Sequence, residues 1–450
     1  MKKIVPAIWI VILSLHFCCG LCFAQKSKNA PNRYAKAEEV IYLFTNEHFK
    51  DVADLFDGTA NGAASEADLK AAWEKVIGAY GSFKGINQIK EVDKNVFKAH
   101  CRFEKDQLVI ITAFNEKGKL VAFLLQPADD PRPWEAPSYA NLSEFSEREV
   151  KFGSEEWELP GTLTLPKVKG KCPVVVLVHG SGPQDRDESI GPNKIFKDLA
   201  WGLASQGIGV LRYEKRTLYY SLKVASQINK VTLETETVDD AVEAVKFLKT
   251  VPEVDPNAIY VLGHSLGGMA VPLIAEKDGG RSAGFIIMAG SVKPLEDLIL
   301  EQVTYIFNLD GKITDEEQAE LDKIKQQVAA VKNPNLSPDF PASGLPLEVP
   351  APYWIYLKNY HIAEEASKIK KPVLCLQGAR DYQVTPDNLD LWKDALRGNK
   401  KASFVLFPGL NHLFITGQGP CKPEEIMAQG HVDENVVKTI IRWVKKKGVN

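Results

Sequence analysis

The sequence predicts an α/β protein: a mostly parallel sheet with helices on both faces, preceded by a small α+β domain. In roughly the last two thirds of the chain, short continuous apolar runs alternate with amphipathic helical patterns, as expected of parallel strands that are buried on both faces. The first part instead shows two helical patterns followed by strand patterns. A proline-rich stretch separates the two parts, which indicates a domain boundary.

Composition and charge exclude several classes of protein. The chain has 450 residues, of which 45% are hydrophobic and 25% are charged. These values are ordinary for globular proteins and exclude a disordered chain, a collagen-like fibre and a disulfide-dense mini-protein. The formal net charge of −3 lacks the basic excess of a nucleic-acid-binding protein, so we expect no nucleic-acid partner.

Residues 1–24 predict a signal peptide. A lysine pair, the apolar run Ile4–Leu15 and a small-residue cleavage site ending at Ala24 follow one another, as in export signals. The run is shorter than the roughly 20 residues that a membrane-spanning helix needs. We therefore expect a periplasmic or secreted protein that begins near Gln25 and has no stable membrane anchor. An uncleaved anchor or a lipid-modified cysteine is the alternative.

Residues 25–126 are predicted to form the small α+β domain. Residues 127–146 are predicted to be a linker, because four prolines within eleven residues deny both helix and ladder hydrogen bonds. The helical patterns of the small domain are Ala35–Leu55 and Glu66–Tyr80, and its strand patterns are Val96–Phe103, Gln107–Phe114 and Lys119–Leu125.

Residues 147–450 are predicted to form the parallel-sheet domain. One of its helices is predicted to start at a capping box of Thr237 and Asp240. Residues from about 292 to 366 are polar and helical, then proline-rich, then aromatic. They separate two successive strands, which predicts a cap inserted over the carboxyl edge of the sheet. The predicted strands are Pro173–Val178, Ile208–Leu211, Ala258–Leu262, Gly284–Ala289, Pro372–Leu376 and Ser403–Phe407.

The cap carries four aromatic residues for which two uses stay open. They either pack the core of the cap or form a wall that binds an acyl chain or a sugar. These residues are Tyr353, Trp354, Tyr356 and Tyr360.

Two pentapeptides fit the pattern G-x-S-x-G, and their context separates them. Ser265, between Gly263 and Gly267, follows a predicted strand and precedes a helical pattern. Ser282 follows a glycine pair and precedes a strand. Only the strand–turn–helix setting produces the strained turn that exposes a nucleophilic serine at the positive end of a helix. Ser265 is therefore the candidate nucleophile.

A serine nucleophile needs a base, and the base needs an orienting carboxylate. His412 follows the last predicted strand, and Asp381 follows the strand before it. Both are therefore predicted at the carboxyl edge of the sheet, where Ser265 lies. The chain order Ser, Asp, His is the order expected of such a sheet.

Other titratable residues lie near these motifs. His179 and His264 adjoin them, and we expect each to be a packed or hydrogen-bonded neighbour rather than the base. Glu296 and Asp297 follow the preceding strand and are the alternative acids. A surface role for Asp381, paired with Arg380, also stays open.

The glycine-rich turn His179–Pro183 directly follows a buried strand and is the candidate oxyanion loop. A tetrahedral intermediate needs hydrogen-bond donors for its oxyanion, and we assign this role to the backbone N–H groups of Ser181 and Leu266. Asp185–Asp187 and Arg212–Arg216 carry mixed charges at the same sheet edge. We hypothesise that opposite charges of the two segments pair and fix the loop; a solvated charge run is the alternative.

The sequence predicts neither a cofactor nor a metal site. Gly180-Ser-Gly182 lacks the third glycine of a dinucleotide-binding loop, and Asp185 stands in its place. There is no metal-ligand spacing such as H-E-x-x-H. The cysteines after the predicted leader are isolated, so we expect buried thiols, although the sequence does not choose between thiols and a disulfide pairing; they are Cys101, Cys172, Cys375 and Cys421.

Four segments together resemble the α/β-hydrolase superfamily: His179–Asp187, Gly263–Gly268, Gly378–Asp381 and Asn411–His412. More narrowly, the chain resembles exported bacterial esterases that carry a small N-terminal domain of unknown function. The resemblance implies an α/β-hydrolase fold for residues from about 147 to 447. It implies these roles: Ser265 as nucleophile, His412 as general base and acid, Asp381 as orienting carboxylate, and the amides of Ser181 and Leu266 as oxyanion hole.

The implied function is hydrolysis of carboxylic esters with small or medium acyl chains through an acyl-enzyme, with a small-molecule ester as the partner. Two alternatives stay open: a serine peptidase or amidase of the same fold, and a catalytically idle hydrolase scaffold used for binding. The sequence does not determine the acyl length, the alcohol moiety, the physiological substrate, the role of the front domain, or whether the chain forms a homo-oligomer.

Overall fold

The computed structural model describes residues 33–57, 64–93, 95–128 and 134–447. The predicted signal peptide lies outside these residues. The chain divides into two compact units, the first made of the described part of residues 1–130 with Ser221–Ile228, and the second of the described residues in 131–220 and 229–450. No helix among the described residues is both long and apolar enough to span a membrane.

The first unit is an antiparallel sheet of four strands in the order β1-β2-β3-β4, with helices packed on it. Its elements are α1 (Arg33–Thr45), α2 (Phe49–Leu55), α3 (Glu66–Tyr80), β1 (Phe83–Asp93), β2 (Val96–Phe103), β3 (Gln107–Phe114) and β4 (Leu120–Pro127). The prediction of one continuous helix over residues 35–55 is wrong, because this segment forms two helices. Glu47 adopts a φ of 64°, and this left-handed conformation separates α1 from α2.

The second unit contains the remaining strands. They are β5 (Phe145–Phe152), β6 (Leu159–Pro166), β7 (Cys172–Val178), β8 (Ser189–Ile190), β9 (Asn193–Lys194), β10 (Gly209–Tyr213), β11 (Val254–His264), β12 (Gly284–Met288), β13 (Val373–Gly378) and β14 (Ala402–Phe407). The helices along the same part of the chain are α4 (Ile195–Ala204), α5 (Arg216–Tyr219), α6 (Ser221–Ser226), α7 (Asp239–Leu248), α8 (Leu266–Lys277), α9 (Leu295–Phe307), α10 (Asp315–Lys332), α11 (Ala351–Asn359), α12 (Ile362–Ser367), α13 (Asn388–Ala395) and α14 (Glu434–Lys447). Of these, α6 belongs to the first unit.

Eight of these strands form one sheet in the order β14-β13-β12-β11-β7-β10-β6-β5. The six strands from β14 to β10 are parallel to one another, and β6 and β5 extend the sheet antiparallel. The predicted mostly parallel sheet is therefore confirmed. The sequence patterns missed β5 and β6. Strand β5 is an edge strand with mainly exposed positions, and β6 is buried, but its leucines are interrupted by proline, glycine and threonine, so neither shows a continuous apolar run.

The parallel strands are apolar throughout because both faces of the sheet are covered. Val174–Val178 in β7 are each 0% exposed. On one face, helices α4 and α14 pack their apolar sides on the sheet, and the final helix contributes Val436, Val437, Ile440 and Val444 as predicted. This core holds the carboxyl ends of the strands in fixed register, and the candidate site lies there.

The predicted capping box of Thr237 and Asp240 is wrong. The helix starts earlier, with a π-helical turn over Glu234–Val238, and Thr237 is buried inside it. Asp240 accepts hydrogen bonds from the guanidinium of Arg216, one of them at 2.8 Å. Both partners are buried, and a buried carboxylate needs a facing cation because it is otherwise left as an uncompensated charge.

The inserted segment predicted over residues 292–366 contains α9 to α12, between β12 and β13. Its aromatic side chains are mainly packed in the protein interior, and their polar atoms form hydrogen bonds. Trp354 is 0% exposed and donates to the carbonyl of Val349. Tyr360 donates to the carbonyl of Met269 in α8. The first bond lies within the cap, and the second attaches the cap to α8.

Leu177→Ala is expected to lower the free energy of unfolding by about 3 kcal/mol, because it removes fully buried methyl groups and leaves a cavity in a close-packed sheet. Leu177 is 0% exposed in β7, whereas Leu406 in the edge strand β14 is 45% exposed. Leu406→Ala is the matched control, with an expected loss below about 1 kcal/mol. Denaturant unfolding measures both, and equal losses would contradict the buried central position of β7.

Candidate active site

The candidate nucleophile Ser265 occupies a strained turn between β11 and α8. Its φ and ψ are 53° and −116°, and its side chain is partly exposed. Two glycines make this turn sterically feasible. A Cβ on Gly263 would lie 2.1 Å from the carbonyl oxygen of Gly267, and a Cβ on Gly267 would lie 2.3 Å from that of Val178. The pattern G-x-S-x-G thus reflects close backbone packing between the turn, α8 and the end of β7.

The candidate acid and base form a buried hydrogen-bonded pair. Nδ1 of His412 lies 2.7 Å from Oδ2 of Asp381, and the two side chains are 5% and 0% exposed. The other oxygen of Asp381 accepts from the backbone N–H groups of Gln383 at 2.8 Å and Val384 at 2.9 Å. An ionised carboxylate only accepts, so Nδ1 of His412 is the donor and Nε2 is left as the basic nitrogen.

Gln377 is a further partner of the acid that the sequence reasoning missed. Its Nε2 donates to Oδ2 of Asp381 at 3.1 Å and to the carbonyl of Val384 at 2.8 Å. These bonds lock the turn that carries the carboxylate. A glutamine at the end of a buried strand is the only sequence signal for this role.

The loop that carries the base reaches the nucleophile turn through His264. Nε2 of His264 donates to the carbonyl of His412 at 3.0 Å, and the two imidazole rings have their centroids 4.9 Å apart. His264 directly precedes Ser265. The structure therefore joins Asp381 to His412 by a direct bond and places Ser265 next to the residue that contacts His412.

His264 also faces a buried acid. Its Nδ1 lies 3.1 Å from Oε2 of Glu188, and both side chains are at most 2% exposed. Burial, the largest single cause, lowers the pKa of His264, but the facing Glu188, the carbonyl of His412 and the charge of Asp381 together raise it above its ordinary value. Burial, the largest single cause, raises the pKa of Glu188, but the facing His264, the nearby His179 and the N–H of Gly180 together lower it below its ordinary value. The two groups therefore form an ion pair.

The candidate oxyanion loop is fixed through both polar groups of Gly180. Its N–H donates to Oε1 of Glu188 at 2.6 Å, and its carbonyl accepts from Nζ of Lys215 at 2.8 Å. The next residue, Ser181, is exposed. Among the described residues, the N–H groups of Ser181 and Leu266 have no protein acceptor. The N–H of Ser265 donates to the carbonyl of Met288 and is not available for an oxyanion.

Lys215 continues this buried polar chain into the cap. Its Nζ lies 3.6 Å from Oε2 of Glu236, and Tyr353 in α11 donates to Oε1 of Glu236 at 2.6 Å. Burial, followed by the charge of Glu236, raises the pKa of Tyr353, so its hydroxyl remains a donor. Tyr353 thus packs and anchors the cap, the first of the two uses left open by the sequence.

The hypothesised pairing of charges near the oxyanion loop is present in the structure. Arg186 contacts Glu149 and Glu214, each at 2.7 Å, and Arg212 contacts Asp187 and Glu147. Arg186 and Arg212 thereby tie the loop to β5 as well as to the segment after β10. Asp185 has another role, because its side chain accepts from the backbone N–H groups of residues 187 and 189.

The other histidine and acids near the site have partners of their own. Burial lowers the pKa of His179 to about 4, and its Nε2 lies 2.9 Å from the carbonyl oxygen of Asp185. Asp297 pairs with Lys332, and burial raises the pKa of Glu296. Neither acid contacts His412. The carboxylate that contacts His412 is Asp381, while Arg380 pairs with Glu425 instead.

No group of three or more His, Cys, Asp or Glu side chains within the described ranges is arranged to hold a metal ion. Within the part of the chain that the structure describes, Cys101, Cys172, Cys375 and Cys421 are buried free thiols. Burial raises the pKa of Cys101 to about 12, as expected for an unreactive thiol.

Comparisons with known proteins point to one family. A family model described as "Serine aminopeptidase, S33" matches residues 171–418, and one described as "Protein of unknown function (DUF3887)" matches residues 37–123. The chain is 34% identical over 406 residues to esterase EstD of Thermotoga maritima, which covers 89% of this chain and 93% of that protein. It is 24% identical over 210 residues to the uncharacterized peptidase YtmA of Bacillus subtilis, covering 46% and 63%.

Solved structures are also similar. Est1E from Butyrivibrio proteoclasticus has a TM-score of 0.44 and 17% identity, with 67% of this chain and 99% of that chain covered. The acylaminoacyl peptidase of Pyrococcus horikoshii has a TM-score of 0.47 and 16% identity, with 80% and 56% covered.

Gly378→Ala is expected to lower kcat for the reaction of this site at least about tenfold, since displacements near 1 Å cost up to about a hundredfold. A Cβ on Gly378 would lie 2.4 Å from the carbonyl oxygen of Leu410 and 2.8 Å from that of Asn411, and would therefore displace the loop that carries His412. Steady-state kinetics on a chromogenic ester measures the change.

Gly409→Ala is the matched control, because a Cβ at Gly409 would meet nothing within 4 Å. Its kcat should stay near that of the wild type. Equal kinetics of the two alanine variants would show that the packing of Gly378 does not position the base.

Glu188→Gln is expected to lower the free energy of unfolding by about 3 kcal/mol, because it leaves a buried partner unpaired. Because the pKa of His264 is raised in the folded protein, its contribution to the free energy of unfolding is complete below pH 6.5, its ordinary pKa. That contribution is lost as the pH rises through the folded-state pKa. Because the pKa of Glu188 is lowered in the folded protein, its contribution to the free energy of unfolding is complete above pH 4.5, its ordinary pKa, and is lost as the pH falls through the folded-state pKa. The difference between wild type and variant should therefore be largest between about pH 4.5 and 6.5.

Denaturant unfolding at a series of pH values measures this difference. Groups that are the same in both proteins, including the pair of His431 and Asp198, cancel in the comparison. A difference that stays constant from weakly acidic to alkaline pH would contradict the ion pair.

Proposed function

The chain belongs to the serine aminopeptidase S33 family of α/β-hydrolases, and we propose that it cleaves carboxylic esters with Ser265, His412 and Asp381 as a catalytic triad. The resemblance and the fold class predicted from the sequence are confirmed, and the chain is an ester hydrolase of this family. The observation that carries the proposed triad is the buried bond between His412 and Asp381 beside the strained turn of Ser265.

The proposed reaction has two steps. Oγ of Ser265 attacks the ester carbonyl while Nε2 of His412 accepts its proton, and the resulting oxyanion is held by the N–H groups of Ser181 and Leu266. His412 then donates the proton to the leaving alcohol, and an acyl-enzyme remains on Ser265. A water molecule, activated by the same nitrogen, releases the acid and restores the serine.

The geometry supports both proposed oxyanion donors, the N–H groups of Leu266 and Ser181. Leu266 is the first residue of α8, so its N–H is one of the groups that a helix N-terminus leaves unsatisfied, and the helix dipole favours a negative charge there. Ser181 lies in the loop whose neighbouring residue Gly180 is held at both its N–H and its carbonyl. A donor that is fixed before the reaction stabilises the oxyanion without reorganisation.

Small-molecule esters with short or medium acyl chains are the proposed substrates. Support for an ester as the substrate comes from the esterase relative, which aligns along most of both chains. The same triad can cleave amides, so a serine peptidase is the competing assignment, and a binding scaffold without catalysis is the other. Export of the protein through its predicted leader is part of the proposal, and that leader lies outside the described residues.

A panel of p-nitrophenyl esters of increasing acyl length, run beside peptide anilides, tests the reaction and the substrate class. We expect ester hydrolysis with highest kcat/KM at short or medium length and little anilide hydrolysis. Ser265→Ala should lower kcat by about 10⁴-fold or more, as loss of the nucleophile does in other triads. A fluorophosphonate should label the wild type on Ser265.

Ser282→Ala is the matched control, because Ser282 lies in the second G-x-S-x-G pentapeptide and is 0% exposed. It should retain wild-type kinetics and labelling. A Ser265→Ala variant that still hydrolyses esters would overturn the assigned nucleophile. Anilides cleaved better than esters would favour the peptidase, and a wild type without activity or labelling would favour the binding scaffold.

A further inference from the structure

We propose that Glu188 and His264 act as one positioning unit that sets the oxyanion loop and the base loop at a fixed distance across the nucleophile. Neither residue touches the reacting atoms in this proposal, which rests on the proposed function. It assigns a role to the histidine of the pentapeptide and to an acid that the sequence motifs did not single out.

Three contacts carry the proposal. Oε1 of Glu188 accepts from the N–H of Gly180 at 2.6 Å, and its Oε2 lies 3.1 Å from Nδ1 of His264. Nε2 of His264 lies 3.0 Å from the carbonyl oxygen of His412. The pair therefore bridges the residue before Ser181 and the backbone of the base itself. Any shift of the pair moves a proposed oxyanion donor or the proposed base.

Both nitrogens of His264 face acceptors. The carbonyl of His412 accepts a hydrogen bond from Nε2, whereas Nδ1 faces Oε2 of Glu188 as the cationic side of an ion pair and not through an aligned hydrogen bond. With Glu188 ionised, the pair is neutral overall. Each charge is compensated inside the protein, which is the condition under which two buried charges are stable and hold a defined geometry.

The oxyanion loop packs against both the pair and the nucleophile. A Cβ on Gly180 would lie 3.1 Å from Oε1 of Glu188 and 3.2 Å from Cβ of Ser265. The oxyanion loop is thus in close contact with both the acid and the serine. Glu188 itself has a φ of 48°, a conformation that costs energy for a residue with a side chain and persists only where the surroundings enforce it.

Other charged groups near the pair have separate partners. Lys215 donates to the carbonyl of Gly180 and lies near Glu236. Asp381 is paired with His412, and burial keeps the pKa of His179 low. Within the described residues, Glu188 is therefore the carboxylate paired with His264, and substitution of either one breaks a defined contact.

Two substitutions separate the contacts. Glu188→Gln keeps an oxygen for the N–H of Gly180 and removes the charge that faces His264. His264→Asn keeps a donor close to the position of Nδ1 and removes the donor to the carbonyl of His412. Asp198→Asn is the matched control, because Asp198 is a buried acid paired with a histidine, His431, at 3.0 Å and contacts none of the proposed catalytic residues.

The measurements are kcat and KM on a p-nitrophenyl ester, per active site titrated with a fluorophosphonate, and the affinity for a trifluoromethyl ketone that forms a tetrahedral adduct with serine. Each of the two test variants should lower kcat about 10- to 100-fold, as small misplacements of catalytic groups do, with KM nearly unchanged. The affinity for the ketone should fall by a similar factor. The kcat of the double variant should be only slightly below that of the less active single variant, as expected of residues that act as a unit.

Asp198→Asn should keep the wild-type kcat and ketone affinity, even if its stability falls. The inference is overturned if the folded test variants keep kcat and ketone affinity within about threefold of wild type, if only KM changes, or if the control loses as much as they do. If one variant does not fold, the other decides. Failure of the proposed function is distinct, because the wild type would then be inactive or Ser265→Ala would remain active.

Discussion

The backbone at Ser265 is the constraint on which the rest of the site depends. A serine with a φ of 53° is tolerated only because Gly263 and Gly267 allow β11, α8 and the end of β7 to approach within contact distance. The same approach brings the oxyanion loop against Ser265 and leaves the adjoining His264 facing both Glu188 and the base loop. Packing at the sheet edge thereby positions the candidate nucleophile, base and oxyanion donors together.

Buried charge is the second organising element. The acid Asp381 has hydrogen-bond donors on both oxygens, and Glu188 is shared between Gly180 and His264. Lys215 and Glu236 extend the polar contacts to Tyr353 in the cap. Burying so many charged groups is costly unless each has a partner, and these partners fix the loops that carry the proposed chemistry. The cap and the oxyanion loop are therefore connected by a continuous set of buried polar contacts.

Much of the fold and the site follows from the sequence, and the misses have physical causes. Continuous apolar runs such as the one ending at Val178 predict buried parallel strands. Residues just after parallel strands meet at one edge of the sheet, and this rule selected Ser265, Asp381 and His412 as candidate site residues. Edge strands such as β5 give no such run, since their side chains are exposed. The break at Glu47 and the early start of α7 depend on tertiary contacts, as do the roles of Gln377, Glu188 and His264, which no local pattern contains.

A crystal structure of the protein inhibited by a phosphonate ester would show whether these groups act together, because the adduct has the tetrahedral geometry of the reaction intermediate. We expect phosphorus bonded to Oγ of Ser265, one phosphonyl oxygen within hydrogen-bond distance of the N–H groups of Ser181 and Leu266, and Nε2 of His412 directed at the adduct. A phosphonyl oxygen that points to solvent, or an imidazole of His412 turned away from Ser265, would contradict it.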